Sequence, residues 1–136
     1  HARDYVKAMW MMMQKETPDD YVVATNRQYS VRQLCTLCFE LCGRPVMWRG
    51  KGLEEEGVDA KTGQVLVQVS EKYFRPAEVE TLLGDMSKLQ KETGWNPDTS
   101  FKALIFEMME YDFKQNGLEL PESAQAVRDR QGDEYC

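Results

Sequence analysis

The sequence predicts an α/β fold in which short strands alternate with amphipathic helices. Apolar residues recur at helical spacing in four segments, and three short runs have the character of β-strands. The chain has 136 residues, the length of one domain, and a compact domain of that size buries about two-thirds of its unfolded surface. Because the strands are few and short, the pattern favours the smaller lobe of an α/β protein over a self-contained doubly wound sheet.

The first two helices are predicted from capping residues that precede apolar residues at helical spacing. Asp4 is interpreted as the N-cap of a helix that runs to about Lys15, and the methionine-rich side of this helix indicates core or subunit packing. Ser30 is interpreted as the N-cap of the second helix, residues 31–41, which Gly43 ends. The predicted buried stripe of this helix consists of Val31, Leu34, Cys35, Cys38 and Leu41.

Two further helices follow in the second half of the chain. Asp85 is interpreted as the N-cap of the third helix, which runs to about Glu92 and stops at Gly94. The fourth and longest helix begins after Thr99 or Ser100, either of which can cap it. Its predicted apolar face consists of Phe101, Leu104, Ile105 and Met108.

Three short strands are predicted, at residues 21–24, 46–48 and 64–70. The first is an unbroken apolar run, Tyr-Val-Val-Ala, which indicates burial. Residues 49–63 hold four glycines and three consecutive glutamates, and we interpret them as a solvated connection because the glycines miss the spacing of a phosphate-binding turn. Residues 114–136 are polar and show no apolar period, so they are predicted to form a mobile tail.

The charge balance narrows the range of partners. The chain carries 17 Lys and Arg against 23 Asp and Glu, a net charge of −6. Nucleic acids and anionic membranes bind basic surfaces, so neither is expected as the main partner. No run approaches the roughly 18 apolar residues that crossing a bilayer requires.

Three of the four cysteines, Cys35, Cys38 and Cys42, fall within eight residues on the predicted second helix or at its end. Offsets of three and seven place them on one helix face, where cysteine packs as a small apolar residue. The alternative, an iron–sulfur or metal site, has little histidine support because His1 is the only histidine. We therefore expect no metal site. This spacing does not suggest a disulfide framework either, which indicates a reducing compartment and a cytoplasmic location.

Arg75 and Glu78, which lie on either side of Pro76, form the strongest chemical signal in the chain. A guanidinium offers a planar fork of donors for phosphate oxygens, and a carboxylate accepts hydrogen bonds from ribose hydroxyls. Pro76 biases Arg75 toward an extended backbone, which gives its side chain a defined direction. The pair therefore predicts a site for the diphosphate and ribose of a nucleotide. The alternative is an ordinary ion pair at a helix start.

Several motifs, in the right order, resemble the GDP-mannose 4,6-dehydratases, a family of extended short-chain dehydrogenases/reductases. Residues 72–79, Lys-Tyr-Phe-Arg-Pro-Ala-Glu-Val, resemble the family's Tyr-Tyr-Arg-Pro-x-Glu-Val segment, with Phe74 in place of the second tyrosine. Residues 1–10, His-Ala-Arg-Asp-Tyr-Val-Lys-Ala-Met-Trp, resemble its His-Ala-x-Asp-Tyr-Val-x-Ala-Met-Trp helix. The resemblance continues through Gly-Trp-Asn-Pro at residues 94–97 and covers residues 1–113.

The resemblance implies that residues 1–113 are the smaller C-terminal substrate-binding lobe of an enzyme whose Rossmann lobe is missing here. It implies that Arg75 binds the diphosphate of GDP and that Glu78 contacts its ribose. It also implies that Arg3 lies on the surface of the first helix, and that the family's Arg-Asp-Trp-Gly motif precedes His1. For the whole enzyme it implies a homo-oligomer.

The reaction that the resemblance implies converts GDP-mannose to GDP-4-keto-6-deoxymannose, the first step toward GDP-fucose. NADP, bound by the missing lobe, would accept a hydride from C4 and return it to C6 after water is lost. The sequence contains neither a glycine-rich dinucleotide turn nor a tyrosine with a lysine four positions later. No catalytic residue is therefore assigned, and the chain alone is expected to be inactive. The alternative is a non-catalytic nucleotide-binding or protein-interaction module.

Overall fold

Five α-helices and one three-stranded antiparallel sheet form the regular structure of the part that the computed structural model describes, residues 1–79 and 81–130. The helices are α1 (Ala2–Met13), α2 (Val31–Leu41), α3 (Ser87–Thr93), α4 (Phe101–Gln115) and α5 (Ser123–Asp129). The strands are β1 (Val46–Arg49), β2 (Glu56–Asp59) and β3 (Val65–Gln68), in the order β1-β2-β3. A small α/β architecture is therefore confirmed.

The described residues fall into two compact units. Unit 1 contains residues 1–28, 79 and 81–104, and unit 2 contains residues 29–78 and 105–130. Among the described residues, none of the helices is both long and apolar enough to cross a lipid bilayer.

Unit 1 is organised around a small apolar core. Its buried residues are Ala8, Met86, Leu89 and Trp95. Gly94 ends α3 in the left-handed conformation, with φ 73°, as the sequence predicted. Met86 is the N-cap of α3, and Asp85 accepts the backbone N–H of Ser87 at 2.8 Å, so the predicted cap is misplaced by one residue.

The prediction that Asp4 caps α1 was wrong. His1 is the N-cap, and its side chain accepts the backbone N–H of Arg3. Asp4 lies in the first turn, is 4% exposed, and accepts the backbone N–H of Thr99 at 3.1 Å through Oδ2. Its carboxylate therefore serves a segment far along the chain, a partner that local spacing cannot reveal.

The predicted strand at residues 21–24 is absent, because in the described part of the chain these residues pair with no other strand. Three of them, Tyr21, Val23 and Ala24, nevertheless pack against the core of unit 1. The apolar run was thus correctly predicted to contact a core, but it lacks the neighbour that defines a strand.

The sheet of unit 2 contains both remaining predicted strands and one that the sequence did not predict. Val46 pairs with Asp59 across β1 and β2, and Glu56 pairs with Gln68 across β2 and β3. The interpretation of residues 49–63 as a connection was wrong for Glu56–Asp59, which form the central strand. This strand contains only one large apolar residue, Val58, so its sequence has no β-type alternation to detect.

Helix α2 was predicted correctly, including its start. Ser30 and Gln33 form a capping box, in which each side chain bonds the backbone N–H of the other residue. Its buried side chains are Leu37 and Leu41, and the three cysteines are half-buried. Val31, predicted to lie in the buried stripe, is 76% exposed.

The fourth predicted helix is confirmed as α4, with the Ser100 hydroxyl accepting the backbone N–H of Ala103 at 3.1 Å. Helix α5 was not predicted. It packs against α2, buries Ala124 and Val127, and is followed by an ion pair of 2.8 Å from Arg130 to Glu40. The division of the chain at residue 113 and the mobility of residues 114–136 stay predictions, and residues 131–136 lie outside the described part.

Candidate functional site

The candidate nucleotide site begins just after β3, in the segment that leads to Arg75. The chain leaves the strand through a turn in which the backbone N–H of Phe74 donates to the carbonyl oxygen of Ser70 at 3.0 Å. Arg75 follows this turn, and Pro76 fixes the backbone φ immediately after it. The turn and the proline together set where the guanidinium leaves the chain.

The structure brings the two predicted site residues together. Nη1 of Arg75 lies 3.6 Å from Oε1 of Glu78, and their side chains are 79% and 61% exposed. An exposed ion pair of this kind adds little stability, because water screens both charges. Both side chains are therefore accessible to a ligand, and the other guanidinium nitrogens keep donors for phosphate oxygens.

Two aromatic side chains next to this pair were not singled out as site residues from the sequence. Tyr73 is 73% exposed and Phe74 is 41% exposed. The ammonium of Lys72 lies 5.2 Å from the centroid of the Tyr73 ring. An exposed aromatic face can stack on a nucleobase, and the signal that could have indicated this was two adjacent aromatic residues before the arginine.

Neither Arg75 nor Glu78 lines either of two cavities in the described structure. One, of about 330 Å³, is lined in unit 2 by ten residues between Phe106 and Gln125. The other, of about 310 Å³, is lined in unit 1 by Trp10, Met11, Gln14, Lys15, Glu92 and Thr93. The arginine–glutamate pair lines neither cavity, so within unit 2 it is a surface feature.

Three free cysteines lie on α2 or directly after it. Burial raises the pKa of Cys35, Cys38 and Cys42. The thiolate is the form that binds metal and attacks electrophiles, so a raised pKa disfavours both. In residues 1–79 and 81–130, no group of three or more metal-binding side chains is arranged to hold an ion.

The fold and this surface pair define an α/β chain with a candidate site for a nucleotide diphosphate. Comparison with known proteins is more specific. The family model for GDP-mannose 4,6 dehydratase matches residues 1–108, a region that includes both Arg75 and Glu78. The chain belongs to the GDP-mannose 4,6-dehydratase family, which confirms the resemblance found in its motifs.

Individual relatives agree with the family match. The chain is 47% identical over 114 residues to the GDP-mannose 4,6 dehydratase of Drosophila melanogaster, across 84% of this chain. It is 47% identical over 112 residues to GDP-mannose 4,6 dehydratase 2 of Caenorhabditis elegans, across 82% of this chain. A similar match, 47% over 112 residues, is made with GDP-mannose 4,6-dehydratase of Sinorhizobium fredii strain HH103, across 82% of this chain. The chain spans 29% of the length of each animal relative and 32% of the bacterial one.

Proposed function

We propose that this chain is part of a GDP-mannose 4,6-dehydratase and that it binds the nucleotide end of GDP-mannose. In this proposal Arg75 binds the diphosphate and Glu78 accepts hydrogen bonds from the ribose hydroxyls. The observation that carries it is the exposed arginine–glutamate pair, at 3.6 Å, inside the region that matches the family.

The proposal extends to the part that the chain plays in the larger enzyme. We assign residues 1–113 to the smaller C-terminal substrate-binding lobe, and the support is most direct for unit 2, which contains both Arg75 and Glu78. Binding energy from the nucleotide, which is remote from the reacting carbons, would hold the sugar in register for dehydration. The chain would thus supply affinity and placement.

The residues present do not fit a dinucleotide cofactor. The sequence has no G-x-G-x-x-G turn through which a backbone could approach a pyrophosphate. NADP, which would supply hydride transfer in the proposed whole enzyme, would therefore be bound by the part of the relatives that this chain does not span. We expect this chain alone to form no product.

The location and assembly proposed for the whole enzyme follow from less direct observations. Cytoplasmic placement rests on the free, half-buried thiols of α2, which suit a reducing compartment. Homo-oligomer formation rests on family membership. The second candidate function, a non-catalytic interaction module, is supported by the exposed apolar side chains of α1, among them Met9 and Met13 at 57% and 82% exposure.

The proposed function is tested by titrating GDP into the 136-residue chain and following its amide resonances. We expect dissociation constants of about 1 mM, because only part of the pocket is present. Arg75 and Glu78 should shift most, and Arg75→Ala should remove the shifts. The matched control is Arg49→Ala. Arg49 is a surface arginine of the same unit, and it forms an ion pair with Glu56. The proposal would be overturned if GDP shifted the amide resonance of neither Arg75 nor Glu78. It would also be overturned if GDP bound the Arg75→Ala variant with an unchanged dissociation constant.

A further inference from the structure

A cavity in unit 2 lies between α4 and the residues that follow this helix. Its volume is about 330 Å³, and all of its ten lining residues except Phe106 come after residue 108, where the match to the family model ends. The cavity is therefore formed mainly by a part of the chain that the family model does not cover. A cavity of this size can hold a small organic molecule.

The inner wall of the cavity is apolar and is held in place by contacts within unit 2. Phe106 and Ala124, which both line it, are 8% and 1% exposed. The guanidinium of Arg128 lies 4.8 Å from the centroid of the Phe106 ring, and the backbone N–H of Leu118 donates to the carbonyl oxygen of Phe113 at 2.9 Å. These contacts join α5 and the turn after α4 to α4 itself, so the cavity is preformed.

The charged side chains that line the cavity are three carboxylates and one ammonium. The ammonium of Lys114 lies 3.7 Å from Oε1 of Glu110, and this ion pair offsets one of the carboxylates. Glu119 and Glu122 are exposed, and within the described residues neither side chain forms an ion pair or a hydrogen bond. Two unpaired carboxylates beside an apolar wall favour a ligand that is apolar at one end and cationic at the other.

We propose that this cavity binds a small organic amine in its protonated form. The apolar body of the amine lies against the wall that contains Phe106, and its ammonium lies beside Glu119 and Glu122. The same two carboxylates repel an anion, and a neutral molecule of the same shape gains nothing from their charge. The proposal involves neither Arg75 nor Glu78, so it does not depend on the proposed function.

The test is titration of phenethylammonium, phenethyl alcohol and phenylacetate into the 136-residue chain, followed by its amide resonances. The three probes share a phenyl ring and differ in charge. We expect phenethylammonium to shift the amides of residues 118–125 with a dissociation constant on the order of 1 mM, about fivefold below that of the alcohol. Phenylacetate should bind more weakly than the alcohol, and added salt should narrow these differences.

Replacing both carboxylates separates the effect of charge from that of apolar contact. Glu119→Gln combined with Glu122→Gln should reduce the affinity for phenethylammonium to that for phenethyl alcohol, and it should leave the affinity for the alcohol unchanged. Glu54→Gln is the matched control, because Glu54 is an exposed glutamate of unit 2 that does not line the cavity. This variant should bind phenethylammonium as the wild type does.

Three results would overturn the proposal. They are equal affinities for the three probes, shifts by phenethylammonium confined to residues outside 106–125, and unchanged binding of phenethylammonium by the double variant. If the chain alone lacks the dispersed amide resonances of a folded protein, the same comparison of affinities in a full-length dehydratase that carries residues 1–136 decides. GDP titration monitors Arg75 and Glu78 instead, so the two proposals can fail separately.

Discussion

The indole Nε1–H of Trp95 donates a 3.0 Å hydrogen bond to the backbone carbonyl oxygen of Asp4, across 91 positions of sequence. The Asp4 carboxylate in turn accepts the backbone N–H of Thr99 at 3.1 Å. Trp95 is 1% exposed and Asp4 is 4% exposed. These two hydrogen bonds join the first turn of α1 to the segment after α3, beside the buried core of unit 1.

Removing the Trp95 ring should destabilise unit 1. Trp95→Ala deletes a fully buried aromatic side chain, a change that costs about 3–5 kcal/mol when the cavity cannot collapse. The measurement is urea unfolding by far-UV circular dichroism, with amide exchange in α1 as the local readout. Trp10→Ala is the matched control, since Trp10 is 64% exposed and its loss should change stability by less than about 0.5 kcal/mol. Equal effects of the two substitutions would contradict the structure of the core.

The carboxylate of Asp4 should make unit 1 less stable in acid. Burial raises the pKa of Asp4, but hydrogen bonds from Thr99 outweigh it and hold the pKa below its usual value of 3.8. A lowered pKa means that the stabilisation is present above pH 3.8 and is lost as the pH falls through the folded-state pKa. Asp4→Asn keeps an acceptor for Thr99 but cannot titrate.

The check is the urea midpoint at pH 7 and at pH 3. Asp4→Asn should lower the midpoint slightly at pH 7 and flatten its decline in acid. Asp98→Asn is the control, because Asp98 forms a surface ion pair of 2.8 Å with Lys7 and is 67% exposed. If the urea midpoint of Asp4→Asn fell between pH 7 and pH 3 as much as that of the wild type, the Asp4 carboxylate would not be the titrating group.

Features set by neighbouring residues could be predicted from the sequence. The capping box of Ser30 and Gln33 depends on a spacing of three, and Gly94 ends α3 because glycine adopts the left-handed conformation readily. The contact between Arg75 and Glu78 is also local, so their proximity was foreseeable. Whether they bind a nucleotide stays a prediction, since an ordinary ion pair would produce the same distance.

Features set by distant partners could not be predicted. Asp4 looks like a helix cap until the position of Thr99 is known. The central strand β2 is specified by pairing with β1 and β3, and the Trp48 ring lies close enough to Gly57 that a Cβ there would be 3.2 Å from it. The same Cβ would lie 2.8 Å from Cγ1 of Val46, so a larger residue at position 57 would displace that side chain, a reason for the glycine that the sequence does not display. Helix α5 was missed because only two of its side chains are buried.

The phenol of Tyr21 should lose its proton at an unusually high pH. Its hydroxyl donates to Oε2 of Glu92 at 2.5 Å, and this hydrogen bond, with burial and the charge of Glu92, raises the pKa of Tyr21 from 10.0 to about 12. The same hydrogen bond lowers the pKa of Glu92. Because the folded-state pKa is raised, the stabilisation is complete below pH 10.0 and is lost as the pH rises to about 12.

Near-UV absorbance of tyrosinate against pH measures this step. Tyr21→Phe should remove the latest tyrosine transition, and Glu92→Gln should move it toward pH 10.0. Tyr111→Phe, at a side chain that is 62% exposed, should leave that transition in place. If the tyrosine transition at the highest pH remained in Tyr21→Phe, the high pKa would belong to another tyrosine.

Arg75 should act on substrate affinity in the complete enzyme. In a full-length dehydratase that carries this chain's sequence over the matched region, Arg75→Ala removes the charge-assisted contact with the diphosphate that we propose. Such a contact contributes about 2 kcal/mol, so KM for GDP-mannose should rise by about 30-fold. A smaller change in kcat is expected, because the nucleotide lies far from the reacting carbons.

Glu78→Gln should raise KM less, since an amide still accepts one hydrogen bond from ribose. Arg49→Ala, a surface arginine of the same unit at 63% side-chain exposure, should leave KM unchanged. Steady-state kinetics of the three variants measure this, and an unchanged KM for Arg75→Ala would remove the residue from the proposed site.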